Sequence, residues 1–234
     1  DGLFPMDVLI DLYLPLAFAA MLAGLVDAVV GGGGLIQVPA LFAVLPQAAP
    51  ASLLGTNKLA GICGTAMAAR SYWQRYPIDW GLVAPASAAA LVCAFAGAWA
   101  ITIFPAELLR KLLPFVLLLV AIDVFRRKEF GQVHAPTLSG GRKSVMAFIV
   151  GGIIGAYDGF FGPGTGSFLV FLFVRLFGQD FLRASAAAKM VNVVCNFAAL
   201  AWFVPAGQPM WLLGGVMACC NIAGSILGVQ LALR

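Results

Sequence analysis

AMLAGLVDAVVGGGGLIQVP at residues 20–39 and GGIIGAYDGFFGPGTGSF at residues 151–168 decide the fold. In each, an apolar run carries one aspartate, Asp27 or Asp158, and breaks on glycine before a second apolar run begins. Two lysines, Lys58 in LLGTNKLAG and Lys189 in SAAAKMVNVV, lie in the apolar segments that follow. The aspartates are 131 residues apart, and so are the lysines. A charged side chain at mid-bilayer costs roughly 2.5–3.5 kcal/mol on insertion scales. Four such residues at one offset imply a duplicated membrane unit around a polar centre, an architecture common among secondary transporters.

Composition sets the same class. Of the 234 residues, 62% are hydrophobic and 10% charged, against about 25% charged in soluble domains. The chain reads as an all-α, polytopic membrane protein. Its net charge of +4 is no sign of nucleic-acid binding, because no basic patch is interleaved with aromatics. The five cysteines lie in apolar segments without metal-ligand spacing and read as small buried apolar residues; neither metal nor cofactor is expected. The start, DGLFPMDVLIDLYLP, lacks a basic n-region and reads as the approach to the first membrane segment, not as a signal peptide.

Apolar segments fall at about 8–30, 35–46, 51–69, 80–103, 105–125, 144–157, 165–177, 184–203 and 210–233. A spanning helix needs about 20 residues, so 35–46, 144–157 and 165–177 are too short to span. Each adjoins a glycine break, read as the tip of a helical hairpin that turns back inside the membrane. The first repeat is then 1–126, a hairpin over 8–46 and three spans. A linker follows at 127–143, and the second repeat is 144–234, a hairpin over 144–177 and two spans. Gly24/Gly155, Gly31/Gly162, Gly33/Gly164, Trp80/Trp211 and Gly97/Gly228 share the 131-residue offset. Basic residues set the sides. With the linker cytoplasmic and the N-terminus outside, ten of the 14 Lys and Arg lie inside, Arg110 and Lys111 lie outside, and two are intramembrane. The two hairpins then enter from opposite faces, and the repeat is inverted.

The glycine breaks open short helices whose N-terminal N–H groups and dipoles favour anions; Gly32, Gly33 and Gly34 in the first and Gly164, Thr165 and Gly166 in the second form the expected cradle. Thr56, Asn57 and Lys58 are expected to bind substrate from one side, Lys189 and Asn192 from the other. Ser185, Lys189, Asn192 and Asn196 share a helical face, which in lipid must point inward. The glycines also serve as tight turns, and each lysine also reads as the partner of an aspartate. Asp27 and Asp158 have three open roles: counter-ion, proton carrier and cap of the hairpin tip. Gln37, Ser167, Asn221 and Gln230 are weaker candidates; His134 reads as solvated linker.

On AGLVDAVVGGGGLIQVPAL, GTNKLAG, YDGFFGPGTGSF and AAAKMVNVVCN the chain resembles the TauE/SafE (TSUP) transporter family, in particular its YfcA-like branch, over roughly residues 20–234. The resemblance implies a multi-pass inner-membrane carrier of small anions, in many members sulfur-containing ones such as sulfite or organosulfonates. The family pattern falls on Asp27, Gly31–Gly34, Thr56, Asn57 and Lys58, and on Asp158, Gly162, Gly164, Gly166, Lys189 and Asn192. Family members usually continue for another transmembrane segment, a counterpart of 105–125, which these residues do not include. The expected function is secondary transport of a small anion by alternating access, with an anion channel as the alternative and self-association left open. An enzyme is not expected, since no Ser–His or His–Glu–x–x–His arrangement occurs.

Overall fold

A computed structural model of the chain describes residues 9–126 and 137–233. The reading made for His134, and most of the linker at 127–143, fall outside these residues. A π-turn at Leu9–Tyr13 leads into α1 (Leu14–Val30). Then follow α2 (Gly34–Val44), α3 (Pro50–Trp73), α4 (Trp80–Ile103) and α5 (Ala106–Arg126). Beyond the linker come α6 (Gly140–Phe160), α7 (Thr165–Phe177), α8 (Phe181–Phe203) and α9 (Trp211–Ala232). No strand occurs among the described residues.

The helices keep the duplicated register. α2 and α7 start at 34 and 165, α3 and α8 at 50 and 181, α4 and α9 at 80 and 211, each pair 131 residues apart. Local chemistry sets these starts. Pro50 opens α3 at a first-turn position, where its missing N–H is no loss. Asp180 caps α8 by accepting from the N–H groups of Leu182 and Arg183 at 3.1 and 3.0 Å. The breaks need glycine: Gly31 ends α1 at φ +84°, and Gly162 and Gly164 sit at φ +91° and +83° before α7.

Both hairpins return to the face they entered. At the first, Leu12, Tyr13 and Leu16 pack with Leu41, Val44 and Leu45. At the second, Thr137 before α6 donates its hydroxyl to the Leu176 carbonyl at 2.6 Å. The hairpins open on opposite faces. Ala48 accepts from Arg110, and Ser52 donates to Gln208, on the first hairpin's face. Asp79 pairs with Lys143 on the other.

One expectation is corrected. The first arm of the second hairpin is not the short segment 144–157 but a 21-residue helix, because Gly140–Lys143 and Asp158–Phe160 are helical too. Both first arms are long and apolar enough to cross a membrane. Only the returning arms are short, 11 and 13 residues, about 16 and 20 Å at 1.5 Å per residue. The tips therefore pass the middle: the hydroxyl of Tyr72, at the far end of α3, donates to the Ala28 carbonyl at 3.0 Å. Of the cysteines, Cys195 is buried and Cys219 is exposed on α9; all five are free thiols.

The copies interlock. The most extensive packing is of α4 on α6 and of α9 on α1, each hairpin arm against the second span of the other copy. Gly151, Gly155 and Gly159 lie against Ala86, Ala90 and Ala94, both sets at four-residue spacing. A Cβ at Gly155 would sit 2.7 Å from Ala90 Cα. The α1–α9 seam repeats this at the same offset, Gly24 against the Asn221 backbone. Lipid offers no hydrophobic drive between helices, so close backbone approach at small residues is what holds them.

Candidate functional site

The intramembrane charges converge. Lys58 is the ninth residue of α3 and Lys189 the ninth of α8, each about 12 Å into its helix. Their side chains are 3% and 2% exposed, so neither faces lipid. Each lysine pairs with the aspartate of the other copy: Lys58 with Asp158 Oδ2, and Lys189 with Asp27 Oδ2 at 3.0 Å. Lys189 also donates to the backbone carbonyl of Asp27. An ammonium at a helix C-terminus is favourably placed against the dipole, so Lys189 caps α1 as well as neutralising it. Thr65 adds a third group, donating to Asp27 Oδ2 at 3.2 Å.

The tips touch beside these pairs. The backbone N–H of Ser167, in the first turn of α7, donates to the Gly31 carbonyl at 3.0 Å, and its hydroxyl to the Val30 carbonyl at 2.7 Å. A Cβ at Gly31 would lie 2.5 Å from the Gly166 carbonyl carbon, so the tips meet backbone to backbone. Thr165 donates its hydroxyl to the Gly162 carbonyl at 2.8 Å and closes its own turn.

Between tips and lysines lies a polar cavity of about 40 Å³. A water needs roughly 10–15 Å³ on this measure, so the space suits a few waters or one compact oxyanion. Asp27, Asp158 and Lys58 line it, with Gly33, Gly34, Asn57, Gly164, Thr165, Gly166 and Asn192 from the sequence-predicted set. Asn57, Asn192 and Asn196 bring side-chain amides into the wall with no hydrogen bond to the protein among the described residues. Asn221 and Gln37 are occupied: Asn221 donates to Gln37 Oε1 at 2.9 Å, and Gln37 to the Asn57 carbonyl at 3.3 Å. Of the first-turn N–H groups of α2 and α7, those of Leu35, Ile36, Thr165 and Ser167 donate to the carbonyls of Gly32, Gly33, Gly162 and Gly31; Gly34 and Gly166, at the same helix starts, line the cavity.

Three predicted residues stand elsewhere. Thr56 is not in the wall. Its hydroxyl donates to the Ser52 carbonyl and accepts from the Met210 N–H at 3.0 Å, tying α3 to the loop before α9. Residues two apart on a helix do not share a face, so proximity to Lys58 in sequence misplaces it. Gly32 faces Leu35 and Ser167 rather than the cavity. Lys189 is bound to Asp27 behind the wall. Sequence reading passed over Thr65 and Gly61, which do line the cavity. Their signal is the repeat itself: they stand 131 residues before Asn196 and Asn192 on the polar stripe of α8.

Among the described residues no group of His, Cys, Asp and Glu could hold a metal ion. The family model described as "Sulfite exporter TauE/SafE" matches residues 16–234. The chain is 35% identical over 219 residues to "Probable membrane transporter protein YfcA" of Escherichia coli (strain K12), covering 93% of this chain and 80% of that protein. It is 35% identical over 228 residues to "Probable membrane transporter protein ORF9" of Sinorhizobium sp, covering 97% and 85%. It is 33% identical over 242 residues to a "Probable membrane transporter protein" of Haemophilus influenzae, covering 98% and 87%. No solved structure matches the chain.

Proposed function

The chain belongs to the TauE/SafE family of multi-pass membrane transporters, and from that premise we propose that it is a secondary carrier of small anions, sulfur-containing oxyanions of the sulfite and organosulfonate class. The observation that carries this reading is the buried cavity, where a cavity-facing lysine, unpaired amides and two helix N-termini meet. Lysine offers three donors on a compact cation, and amides add neutral donors, a set that matches the three oxygens of a sulfite or sulfonate head. Two hairpins of opposite entry, joined at their tips, give alternating access its moving parts: opening one hairpin exposes the cavity to its own face while the other stays closed.

In this reading 1–126 and 144–234 are the two inverted units and the membrane is the plasma (inner) membrane. The face bearing Arg70, Arg75, Arg142, Lys143, Arg175 and Arg183 is cytoplasmic, with 127–143, and the opposite face, with Arg110, Lys111 and the N-terminus, is outside. Purified protein in proteoliposomes preloaded with sulfite or a small sulfonate should take up labelled anion by counterflow. Equal uptake by wild type and by the Lys58→Ala, Lys189→Ala double variant overturns the site; conductance without trans-stimulation overturns the carrier.

A further inference from the structure

Resting on that carrier reading, we propose that an anion entering the cavity displaces Asp158 from Lys58, that Asp158 takes up a proton, and that one proton thus moves with each monovalent anion. The Lys189–Asp27 pair stays closed throughout and acts as a lock between the copies.

Charge balance is the first ground. The ionised groups at the cavity are the buried Lys58, Asp158 and Lys189 and the part-buried Asp27, already paired one to one. At each tip the positive end of the returning helix follows the negative end of the entering one, so the dipoles offset in part and supply no whole charge. A further anion therefore arrives at a neutral site in a low-dielectric interior, where an unmatched charge is strongly disfavoured. A compensating positive charge must enter with it. One compact oxyanion takes up a cavity of about 40 Å³. A proton needs no further room.

The two pairs differ in a way that selects Asp158. Lys58 lines the cavity and Lys189 does not. The Lys189 ammonium donates twice to Asp27, to carboxylate and to carbonyl, and Asp27 also accepts from Thr65. Asp158 holds Lys58 through one oxygen, on the lysine that an incoming anion reaches first. The other titratable groups near Asp158 are Tyr157 on its own helix and Cys195 on α8, with Cys93 of α4 beside Cys195. Asp27 lines the same cavity with Lys189 behind it, and α7 contributes only Arg175 in its last turn.

The step balances. A proton from water adds to an Asp158 carboxylate oxygen and forms its O–H. Lys58 stays an ammonium and exchanges the carboxylate for the anion. After release at the opposite face the O–H gives its proton to water, and Asp158 closes on Lys58 again.

Methanesulfonate is a suitable probe because it remains ionised across the working pH range. Calorimetric titration of the purified full chain in Tris and in imidazole, buffers of different ionisation enthalpy, should report close to one proton taken up per anion bound. This count requires no variant. Asp158→Asn should bind with a count near zero. In proteoliposomes, wild-type uptake should acidify the lumen and be insensitive to a potassium–valinomycin clamp. A wild-type count of zero, or uptake that carries current and no protons, overturns the proposal and leaves the carrier reading standing. A count kept near one in Asp158→Asn overturns the assignment. Failure of methanesulfonate and sulfite alike to undergo counterflow brings down the carrier reading and this proposal together.

Discussion

The Lys58–Asp158 and Lys189–Asp27 pairs occupy equivalent places in the two copies, yet their surroundings have diverged. Lys58 faces a cavity whose unpaired amides at Asn192 and Asn196 come from the other copy's helix. Lys189 is held by carboxylate, carbonyl and, through Asp27, a threonine. At the offset of 131 residues, Asn192 replaces Gly61, Asn196 replaces Thr65, Ser167 replaces Ile36 and Phe168 replaces Gln37. Duplication kept the charges and the glycines, which position backbone, and released the donors around them. A two-fold frame can in this way carry one exchangeable ion pair and one fixed pair.

The largest effects should come from taking each pair apart. Lys58→Ala leaves the buried Asp158 carboxylate without its partner, a loss on the order of 3–5 kcal/mol, visible as a fall in thermal unfolding temperature in detergent; Lys189→Ala leaves the part-buried Asp27 with its Thr65 bond and should cost less. Replacing whole pairs by apolar residues separates stability from function. Lys58→Met with Asp158→Leu should restore folding and reduce anion uptake at least about a hundredfold, because the cavity loses its cation. Lys189→Met with Asp27→Leu should also fold and keep uptake within about tenfold of wild type. Equal losses in the two double variants would erase the proposed distinction between the pairs.

The hairpin tips give a finer contrast. Gly31 and Gly162 both sit at positive φ, +84° and +91°, so alanine at either costs about 1–2 kcal/mol for the left-handed backbone. Their neighbours differ. A Cβ at Gly31 meets the backbone of Gly166 at 2.5 Å, which cannot yield, whereas one at Gly162 meets Lys58 Nζ at 3.0 Å, the end of a flexible chain. Gly31→Ala should therefore add an overpacking cost of about 1–3 kcal/mol and impair assembly. Gly162→Ala should unfold only slightly earlier yet lose anion binding, since its methyl group pushes Lys58 aside. Thermal unfolding and calorimetric binding on the same two preparations distinguish these outcomes.

Much of this frame was legible in the sequence, and the misses have physical causes. Helix starts at 34/165 and 80/211 follow from Gly33/Gly164 and Trp80/Trp211 at a fixed offset, and those at 50/181 from Pro50 in one copy and the Asp180 cap in the other, signals that local backbone chemistry obeys. The length of α6 did not follow, because Gly-Gly-Arg-Lys at 140–143 has the composition of a loop and becomes helical beyond the apolar run. The exchange of partners between copies was also hidden. Charge pairing shows in a sequence as equal numbers of Lys and Asp, while which Asp meets which Lys depends on α4 packing on α6 and α9 on α1. Those seams rest on small residues that hydropathy does not rank. Helix α3 shows the same limit: Thr56, Asn57 and Lys58 lower its hydropathy, and it is absent from the five helices apolar enough to cross by composition among the described residues, although more of its residues are buried than exposed.

The smallest effects test the edges of the comparison. Ser167 bonds tip to tip through its hydroxyl at 2.7 Å, and its counterpart Ile36 has none to give. Ser167→Ala should cost about 0.5–1.5 kcal/mol and loosen the second hairpin without removing a charge. Smaller still is the Lys143–Asp79 pair, whose side chains are 21% and 34% exposed. Exposed ion pairs contribute about 0–1 kcal/mol and are screened by salt. Lys143→Ala should shift unfolding by less than about 1 kcal/mol, and the shift should vanish at 1 M salt. The same salt increase should leave the Lys58→Ala penalty intact, because that pair is enclosed by protein. A salt-independent Lys143→Ala effect as large as that of Lys58→Ala would mean that burial does not set the strength of these pairs, and the contrast between cavity and surface would fail with it.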